Sequence, residues 1–94
     1  MSEVKEILNE RTKTHGDFSD VAYTYCELQN TFYGTYGDGR NRLNHRQRLA
    51  IDMIFQKLAE IGSGDANFKD HWIDIAGYAT LVVNELEGRE NGSE

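Results

Sequence analysis

Carboxylates one helical turn apart are the first candidate for chemistry in this sequence. Asp70 and Asp74 are four positions apart, so on a helix they share one face, where like charges repel unless a cation, a proton or a basic side chain lies between them. Asp52 and Glu60 supply further carboxylates on the preceding helical stretch. Such a set could hold Mg²⁺, which prefers oxygen ligands. The same side chains could also be the solvated surface of an acidic protein, so both interpretations stay open.

Basic and aromatic side chains form a second candidate group. Cations neutralise phosphate and aromatic rings stack on bases, so the two together describe a nucleotide pocket. The basic candidates are Arg11, His15, Arg46, Arg48 and Lys57, and the aromatic ones are Tyr23, Tyr25, Trp72 and Tyr78. Lys57 could reach Asp74 or a phosphate, but it could also be an ordinary surface lysine whose aliphatic stem packs on its own helix.

The turn His15-Gly16-Asp17 is the third candidate. A histidine and an aspartate around a glycine at the start of a helix could bind an anion or orient a water molecule. Alternatively, Asp17 caps the following helix and His15 is exposed. Cys26 has no base at a fixed spacing, and the sequence shows no phosphate-binding loop, dinucleotide fingerprint, zinc pattern or EF-hand. A catalytic triad is therefore poorly supported.

Length and charge limit the classes of function. The 94 residues are enough for one domain, expected over residues 1–88 with a polar tail over 89–94, and so short a chain is expected to complete its core by forming a homo-oligomer. The net charge of −6 argues against binding a nucleic acid polymer or an anionic membrane. The single cysteine excludes an internal disulfide. With no apparent signal peptide or membrane-spanning stretch, a cytoplasmic location is expected.

Apolar residues recur at three- and four-residue spacings in four stretches, which predicts an all-α, single-domain antiparallel bundle of about four helices. These helices are expected over about residues 2–13, 20–33, 45–61 and 68–87, with a capping box at Asn44 and Gln47, a loop over 34–41, and Gly88 ending the last helix. The inward stripe of that last helix is expected to consist of Trp72, Ile75, Ala76, Ala79, Val82, Val83 and Leu86.

Three motifs together resemble a known group of proteins. They are Glu10-Arg11 with His15-Gly16-Asp17-Phe18, then Asp52 with Lys57-Leu58-Ala59, then Asp70-His71-Trp72-Ile73-Asp74-Ile75-Ala76-Gly77-Tyr78-Ala79. From about residue 8 to residue 83, the chain resembles small phage and prophage proteins that are remotely similar to the MazG-like all-α nucleotide pyrophosphohydrolases. The resemblance implies a helical, oligomeric protein whose enzymatic relatives hydrolyse nucleoside triphosphates with Mg²⁺ held by two acidic pairs.

The acidic pairs of those enzymes are incomplete in this chain. Asp70 and Asp74 stand roughly where the second pair does, at a spacing of four instead of three, and the first pair is missing. The resemblance therefore favours binding: a phage protein of the host cytoplasm that binds a nucleotide or nucleotide-derived signal without a required cofactor, sequestering it from a host antiviral system. The residues expected to bind the nucleotide are Arg11, His15, Asp17, Tyr25, Arg48, Lys57, Asp70, Asp74 and Tyr78.

Two other functions stay open at this point. As a Mg²⁺-dependent nucleotide pyrophosphohydrolase, the chain would hold the metal with Asp52, Asp70 and Asp74 and would stabilise phosphoryl charge with Lys57. As a protein-interaction module, it would inhibit a host factor through its acidic surface and would bind no small ligand.

Overall fold

The structure, a computed structural model, describes residues 2–35 and 42–90. These residues form four helices and no strand: α1 (Ser2–His15), α2 (Phe18–Thr35), α3 (His45–Ser63) and α4 (Lys69–Glu90). The expected all-α bundle of four helices is confirmed. The loop expected over 34–41 begins later than its sequence indicates, because α2 continues through residues 34 and 35. The rest of that loop and the end of the tail, residues 36–41 and 91–94, lie outside the described residues.

Side-chain caps determine where two of the helices begin. The side chain of Asn44 accepts a hydrogen bond from the backbone N–H of Gln47, and the side chain of Gln47 accepts one from the backbone N–H of Asn44. The expected capping box is therefore confirmed. Asp17 Oδ2 accepts hydrogen bonds from the backbone N–H groups of Ser19 and Asp20, so Asp17 caps α2.

Helices α3 and α4 pack antiparallel, and charged contacts at both ends fix their register. Where α3 begins, the buried carboxylate of Glu85 accepts hydrogen bonds from Arg46 and from Asn44 Nδ2. The hydrogen bond from Arg46 holds the pKa of Glu85 below its ordinary value. Toward the other end of the pair, Lys57 Nζ on α3 lies 3.0 Å from Asp74 Oδ2 on α4. A slip of one helical turn would break both contacts.

The face that α4 turns toward α3 differs from the expected one. His71 is 1% exposed and Glu85 is 9% exposed. The half-buried residues of α4 with the same helical spacing are Asp74, Ile75, Tyr78, Val82 and Gly88. The buried face therefore runs through polar residues, whereas Trp72 is 52% exposed and donates its indole N–H to Ala66 O. The expected apolar stripe is therefore wrong, because it lies on a different side of α4 from the face that is buried. Hydropathy alone takes no account of polar groups that are buried with a partner. Gly88 lies on the buried face, and α4 continues past it.

Aromatic rings join α2 to α3. The ring of Phe32 lies edge-on to Tyr33 and Phe55, with centroid distances of 5.0 and 5.3 Å. Such edge-to-face pairs are favourable because the positive edge of one ring meets the negative face of another. The hydroxyl of Tyr33 donates to Asp52 Oδ1 at 2.8 Å, so the α2-facing side of α3 includes a carboxylate.

The hydrophobic core of the single chain is small. Among the described residues, the buried hydrophobic side chains are those of Tyr33, Ala50 and Ala59. Large exposed hydrophobic side chains occur on all four helices and include Ile7, Phe18, Leu49, Ile73 and Leu81. The radius of gyration is 16.0 Å, against about 12 Å for a compact domain of this length. None of the described helices combines the length and the apolar character that crossing a membrane requires.

Two glycines allow the α1–α2 turn to touch the α3–α4 connection. Gly16 has φ +86°, the left-handed conformation that glycine adopts without strain. A Cβ at Gly16 would lie 2.6 Å from the backbone carbonyl carbon of Ser63, and a Cβ at Gly64 would lie 2.3 Å from Thr14 O. The backbone N–H of Asp65 donates to Thr14 O at 2.9 Å. This backbone contact, named here the glycine crossing, brings the end of α1 to the start of α4.

Candidate functional site

Three side chains converge beside the glycine crossing and form a His–Glu–His cluster. They are His15 at the end of α1, Glu60 in the last turn of α3 and His71 in the first turn of α4. One possible ligand atom from each lies within 4.8 Å of the other two. Glu60 and His71 are 3% and 1% exposed, and His15 is half-buried. Within residues 2–35 and 42–90, no other three His, Cys, Asp or Glu side chains come this close.

A hydrogen bond to the backbone orients the ring of His71. Its Nε2 lies 2.8 Å from Thr14 O, and because a carbonyl only accepts, Nε2 carries the proton and donates. The other ring nitrogen, Nδ1, lies 3.6 Å from Glu60 Oε1. That distance is longer than a hydrogen bond. In the neutral ring, Nδ1 therefore keeps its lone pair and points it toward the carboxylate.

The two oxygens of Glu60 differ in their surroundings. Oε2 accepts a hydrogen bond from Gln56 Nε2 at 3.3 Å, whereas Oε1 is buried with no hydrogen-bond partner among the described residues. Lys57 Nζ lies 3.4 Å from Oε1 but closer, 3.0 Å, to Asp74 Oδ2. Burial alone would lower the pKa of Lys57, but the hydrogen bond to Asp74 and the charge of Glu60 outweigh it and raise the pKa. Lys57 is therefore a charged, partly buried amine with Asp74 as its nearer partner.

The ring of His15 is held against the cluster by the end of α1. Its Nδ1 lies 2.6 Å from the hydroxyl oxygen of Thr14, which is 3.3 Å from Arg11 O. When the hydroxyl donates to that carbonyl, Nδ1 of His15 donates to the hydroxyl, and Nε2 keeps its lone pair. The ring meets that of His71 edge-on, with 4.8 Å between the centroids. Burial lowers the pKa of His15, although the charge of Glu60 opposes the change.

The cluster opens into a cleft of about 370 Å³ between α1, α2 and α3. This volume falls within the range of small-molecule sites, about 300–1,000 Å³. The lining residues of the cleft are Leu8, Arg11, Thr12, His15, Gly16, Asp17, Phe18, Val21 and Glu60. Arg11 is exposed and forms no ion pair with another residue in the described ranges. The cleft thus combines a guanidinium without an ion-pair partner in the described ranges, an imidazole, two carboxylates and apolar walls.

The structure places six of the nine expected nucleotide-binding residues in two separate openings. Arg11, His15 and Asp17 line the cleft. A separate opening of about 470 Å³, named here the α3–α4 groove, is lined by Met53, Lys57, Ile73, Asp74, Gly77, Tyr78 and Leu81. Lys57 connects the two places, because it contacts Glu60 of the cleft and Asp74 of the groove.

The other expected binding residues line neither place. Tyr25 lies on α2, where its hydroxyl accepts a hydrogen bond from Gln29 Nε2 at 3.0 Å. Arg48 and Asp70 are exposed, on α3 and in the first turn of α4. Of the two alternatives for the turn at residues 15–17, the cap at Asp17 is present, but His15 is half-buried instead of exposed.

The carboxylates expected to hold Mg²⁺ are not brought together. Asp52 faces α2 and accepts a hydrogen bond from Tyr33, whereas Asp74 faces Lys57. Asp52 and Lys57 are five residues apart on α3, which places them about 140° apart around the helix, so they point to different neighbours. Asp70 is exposed. The Asp52, Asp70 and Asp74 set does not form a metal cluster within the described part of the chain.

Sequence reasoning misses the buried half of the cluster. The set of expected binding residues includes neither His71 nor Glu60, and the sequence singles out Glu60 only as one of several carboxylates that could hold Mg²⁺. One signal in the sequence could have found His71: it begins a second helical stripe, with Ile75, Tyr78 and Val82, that competes with the more apolar one. No local pattern indicates that residue 15 meets residues 60 and 71, since the glycine crossing produces that contact.

Comparisons of the chain with protein-family models, with curated proteins and with solved structures find no match. The resemblance to phage proteins and to MazG-like pyrophosphohydrolases therefore stays a prediction. The cleft itself offers a guanidinium without an ion pair in the described ranges, the imidazole of His15 and a buried oxygen of Glu60 without a hydrogen-bond partner, with His71 beside that oxygen.

Proposed function

We propose that the chain binds a phosphorylated small molecule of the nucleotide type in the cleft beside the His–Glu–His cluster. The observation that carries this proposal is Arg11, which lines the cleft and has no ion-pair partner in the described ranges. A guanidinium in this position can donate two parallel hydrogen bonds to phosphate oxygens. Phe18, 84% exposed, and Leu8, 58% exposed, line the same cleft and offer apolar surface to a base.

Two carboxylates line the cleft beside Arg11, and that of Asp17 accepts the capping hydrogen bonds of α2. Glu60 would repel a phosphate if its charge were uncompensated, but Lys57 lies 3.4 Å from its Oε1. Lys57 therefore acts on the ligand indirectly, by offsetting the carboxylate behind the cleft. The ring of His15, whose pKa is lowered by burial, adds no negative charge. In this arrangement Phe18 takes the stacking role expected of Tyr25 or Tyr78, neither of which lines the cleft.

Binding without hydrolysis, the role in sequestration, the phage origin and the location expected from the sequence stay predictions. Binding without hydrolysis is supported by the separation of Asp52, Asp70 and Asp74, because the MazG-like mechanism needs its carboxylates around shared Mg²⁺. Sequestration from a host antiviral system, a phage origin and a location in the host cytoplasm follow only from the resemblance.

Two arginine variants test the proposal. Arg11→Gln removes the cation of the cleft, and Arg48→Gln removes the same charge from an exposed position on α3 that does not line the cleft. A lost charge-assisted hydrogen bond costs about 1.5–3 kcal/mol, so we expect Arg11→Gln to weaken nucleotide binding at least about tenfold and Arg48→Gln to change it less than about twofold.

Native mass spectrometry against nucleoside triphosphates and cyclic nucleotides, with and without Mg²⁺, measures this binding and the mass of the retained ligand. The proposal predicts an unmodified ligand. It is overturned if no nucleotide binds, or if both arginine variants bind as the unchanged protein does. Release of pyrophosphate or a nucleoside monophosphate only with Mg²⁺ would establish the pyrophosphohydrolase alternative instead.

We also propose that the chain associates with copies of itself through the α3–α4 groove. On α4, Ile73 and Leu81 are 51% and 65% exposed on the walls of the groove, and an added Cβ at Gly77 would meet nothing within 4 Å. Leu49 on α3, 61% exposed, lines an adjoining opening that shares Leu81. Because the described residues of a single chain bury so few large apolar side chains, we infer that a partner covers the groove, and a second copy is present whenever the chain folds.

Light scattering coupled to size-exclusion chromatography tests this association. The unchanged protein is expected to have a multiple of the 10.7 kDa chain mass. Leu81→Lys places a charge in the groove and should shift the mass to that of one chain, because a charge buried in an apolar interface is costly. Thr80→Lys makes the same charge at the neighbouring exposed position and should leave the mass unchanged. A single-chain mass for the unchanged protein would contradict the proposal.

A further inference from the structure

We propose that the His–Glu–His cluster is a binding site for a transition-metal ion, and that Zn²⁺ is the ion that this set of side chains favours. The ligands are His71 Nδ1, Glu60 Oε1 and a ring nitrogen of His15. The inference goes beyond the proposed nucleotide binding and does not depend on it, because the three ligands can be tested with the metal alone.

The spacing of the ligand atoms fits a shared ion better than a direct contact. A tetrahedral Zn²⁺ site with bonds of about 2.0–2.2 Å places neighbouring ligand atoms about 3.4 Å apart. His71 Nδ1 and Glu60 Oε1 are 3.6 Å apart, which is too long for a hydrogen bond between them. One possible ligand atom of His15 also lies within 4.8 Å of one atom from each of the other two side chains.

The surroundings of His71 have the arrangement that orients metal ligands. A metal-binding histidine usually donates its other ring N–H to a carboxylate or a backbone carbonyl, which fixes the ring and its tautomer. His71 donates Nε2–H to Thr14 O, so its lone pair is on Nδ1, beside Glu60. The carbonyl is itself fixed, since it also accepts a hydrogen bond from the backbone N–H of Asp65. The orientation is therefore present before any metal binds.

Glu60 supplies an independent observation that points to a ligand. Its Oε1 is buried and has no hydrogen-bond partner among the residues that the structure describes, although the side chain lines the cleft. Leaving a buried acceptor unsatisfied is costly, and more so for a charged group. Lys57 Nζ, 3.4 Å from Oε1, offsets its charge but leaves it without a hydrogen-bond partner, and Nζ lies closer to Asp74. A metal at Oε1 would leave the Lys57–Asp74 pair intact.

The donor set selects the class of metal. Imidazole nitrogens suit Zn²⁺ and its neighbours in the first transition row, whereas Mg²⁺ prefers oxygen ligands and an octahedral shell. Two histidines and one carboxylate leave a fourth position of a tetrahedral ion open to water or to a ligand. Glu60 and His15 line the cleft that Arg11 also lines.

Zinc titration of the metal-stripped full-length protein, without nucleotide, tests the inference. Isothermal titration calorimetry gives the affinity, and elemental analysis after dialysis gives the stoichiometry. We expect one Zn²⁺ per chain, no competition from millimolar Mg²⁺, and at least a roughly tenfold loss of affinity in Glu60→Gln and in His15→Gln. His45→Gln is the matched control, because His45 is the histidine outside the cluster and is exposed at the start of α3.

The variants distinguish zinc held by the cluster from zinc held elsewhere on the chain. Binding that survives both Glu60→Gln and His15→Gln, or that is lost equally in His45→Gln or in Cys26→Ser, would overturn the inference, as would the absence of Zn²⁺ binding. Circular dichroism checks that each variant is helical, and His15→Gln, at a half-buried position, carries the test if Glu60→Gln does not fold. A failure here leaves nucleotide binding untouched, since that binding is measured separately through Arg11.

Discussion

Replacing Gly64 by alanine is expected to lower the free energy of unfolding by about 3 kcal/mol or more, as overpacking against atoms that cannot move usually does. The added Cβ would lie 2.3 Å from Thr14 O and 2.6 Å from the backbone nitrogen of Gly16. These are backbone atoms, and Thr14 O is held by hydrogen bonds from Asp65 and His71. Relief of the clash would therefore open the glycine crossing. Urea denaturation followed by circular dichroism measures the change.

Gly62 provides the matched control for that substitution. It lies in α3 two residues before Gly64, and an added Cβ would meet nothing within 4 Å. Gly62→Ala should therefore raise the free energy of unfolding by about 0.5–1 kcal/mol, through helix propensity alone. Both variants must be compared at one protein concentration, because self-association would couple stability to concentration. Equal effects of the two substitutions would show that residues 14–16 and 63–65 do not touch as described.

Replacing His71 by phenylalanine is expected to destabilise the chain by about 2–4 kcal/mol. The phenyl ring keeps the aromatic shape but has no N–H to donate to Thr14 O, and it places an apolar edge against Glu60 Oε1. The buried carboxylate would then lose the imidazole of His71 and keep only that of His15 nearby. His45→Phe changes an exposed histidine in the same way and should alter stability by no more than about 0.5 kcal/mol.

Urea denaturation also measures the free energies of unfolding of His71→Phe and His45→Phe. If His71→Phe is as stable as the unchanged protein, the hydrogen bond from His71 Nε2 to Thr14 O does not hold the end of α1 to α4. The stability of the variant would then have to come from other contacts of the glycine crossing, such as the hydrogen bond from the Asp65 backbone to Thr14 O.

The helices could be predicted from the sequence because their signals are local. The capping box at Asn44 and Gln47 needs only residues three positions apart, and the apolar spacing of each helix repeats within one or two turns. The phase of α4 could not be predicted in the same way. Two stripes compete on that helix, and the one that is buried contains His71 and Glu85, whose burial depends on partners elsewhere in the chain.

The candidate site was only half predictable for a related reason. Arg11, His15 and Asp17 are neighbours along α1 and the following turn, so the sequence indicates that they lie together. Their meeting with Glu60 and His71 requires two backbones to touch, and the glycines that permit it look like ordinary loop residues in the sequence. Tertiary contact also places Lys57 and Tyr78 in the groove between α3 and α4, so that Lys57 reaches the cleft only through its contact with Glu60.

Amide NMR spectra recorded during a titration with adenosine triphosphate would test ligand binding in the cleft most directly. Gly16 lines the cleft and Gly77 lines the α3–α4 groove, so their backbone amides report on the two places separately. Binding in the cleft predicts that the Gly16 signal shifts with ligand concentration while the Gly77 signal stays in place. A shift at Gly77 without one at Gly16, or no shift at either glycine, would contradict the cleft as the nucleotide site.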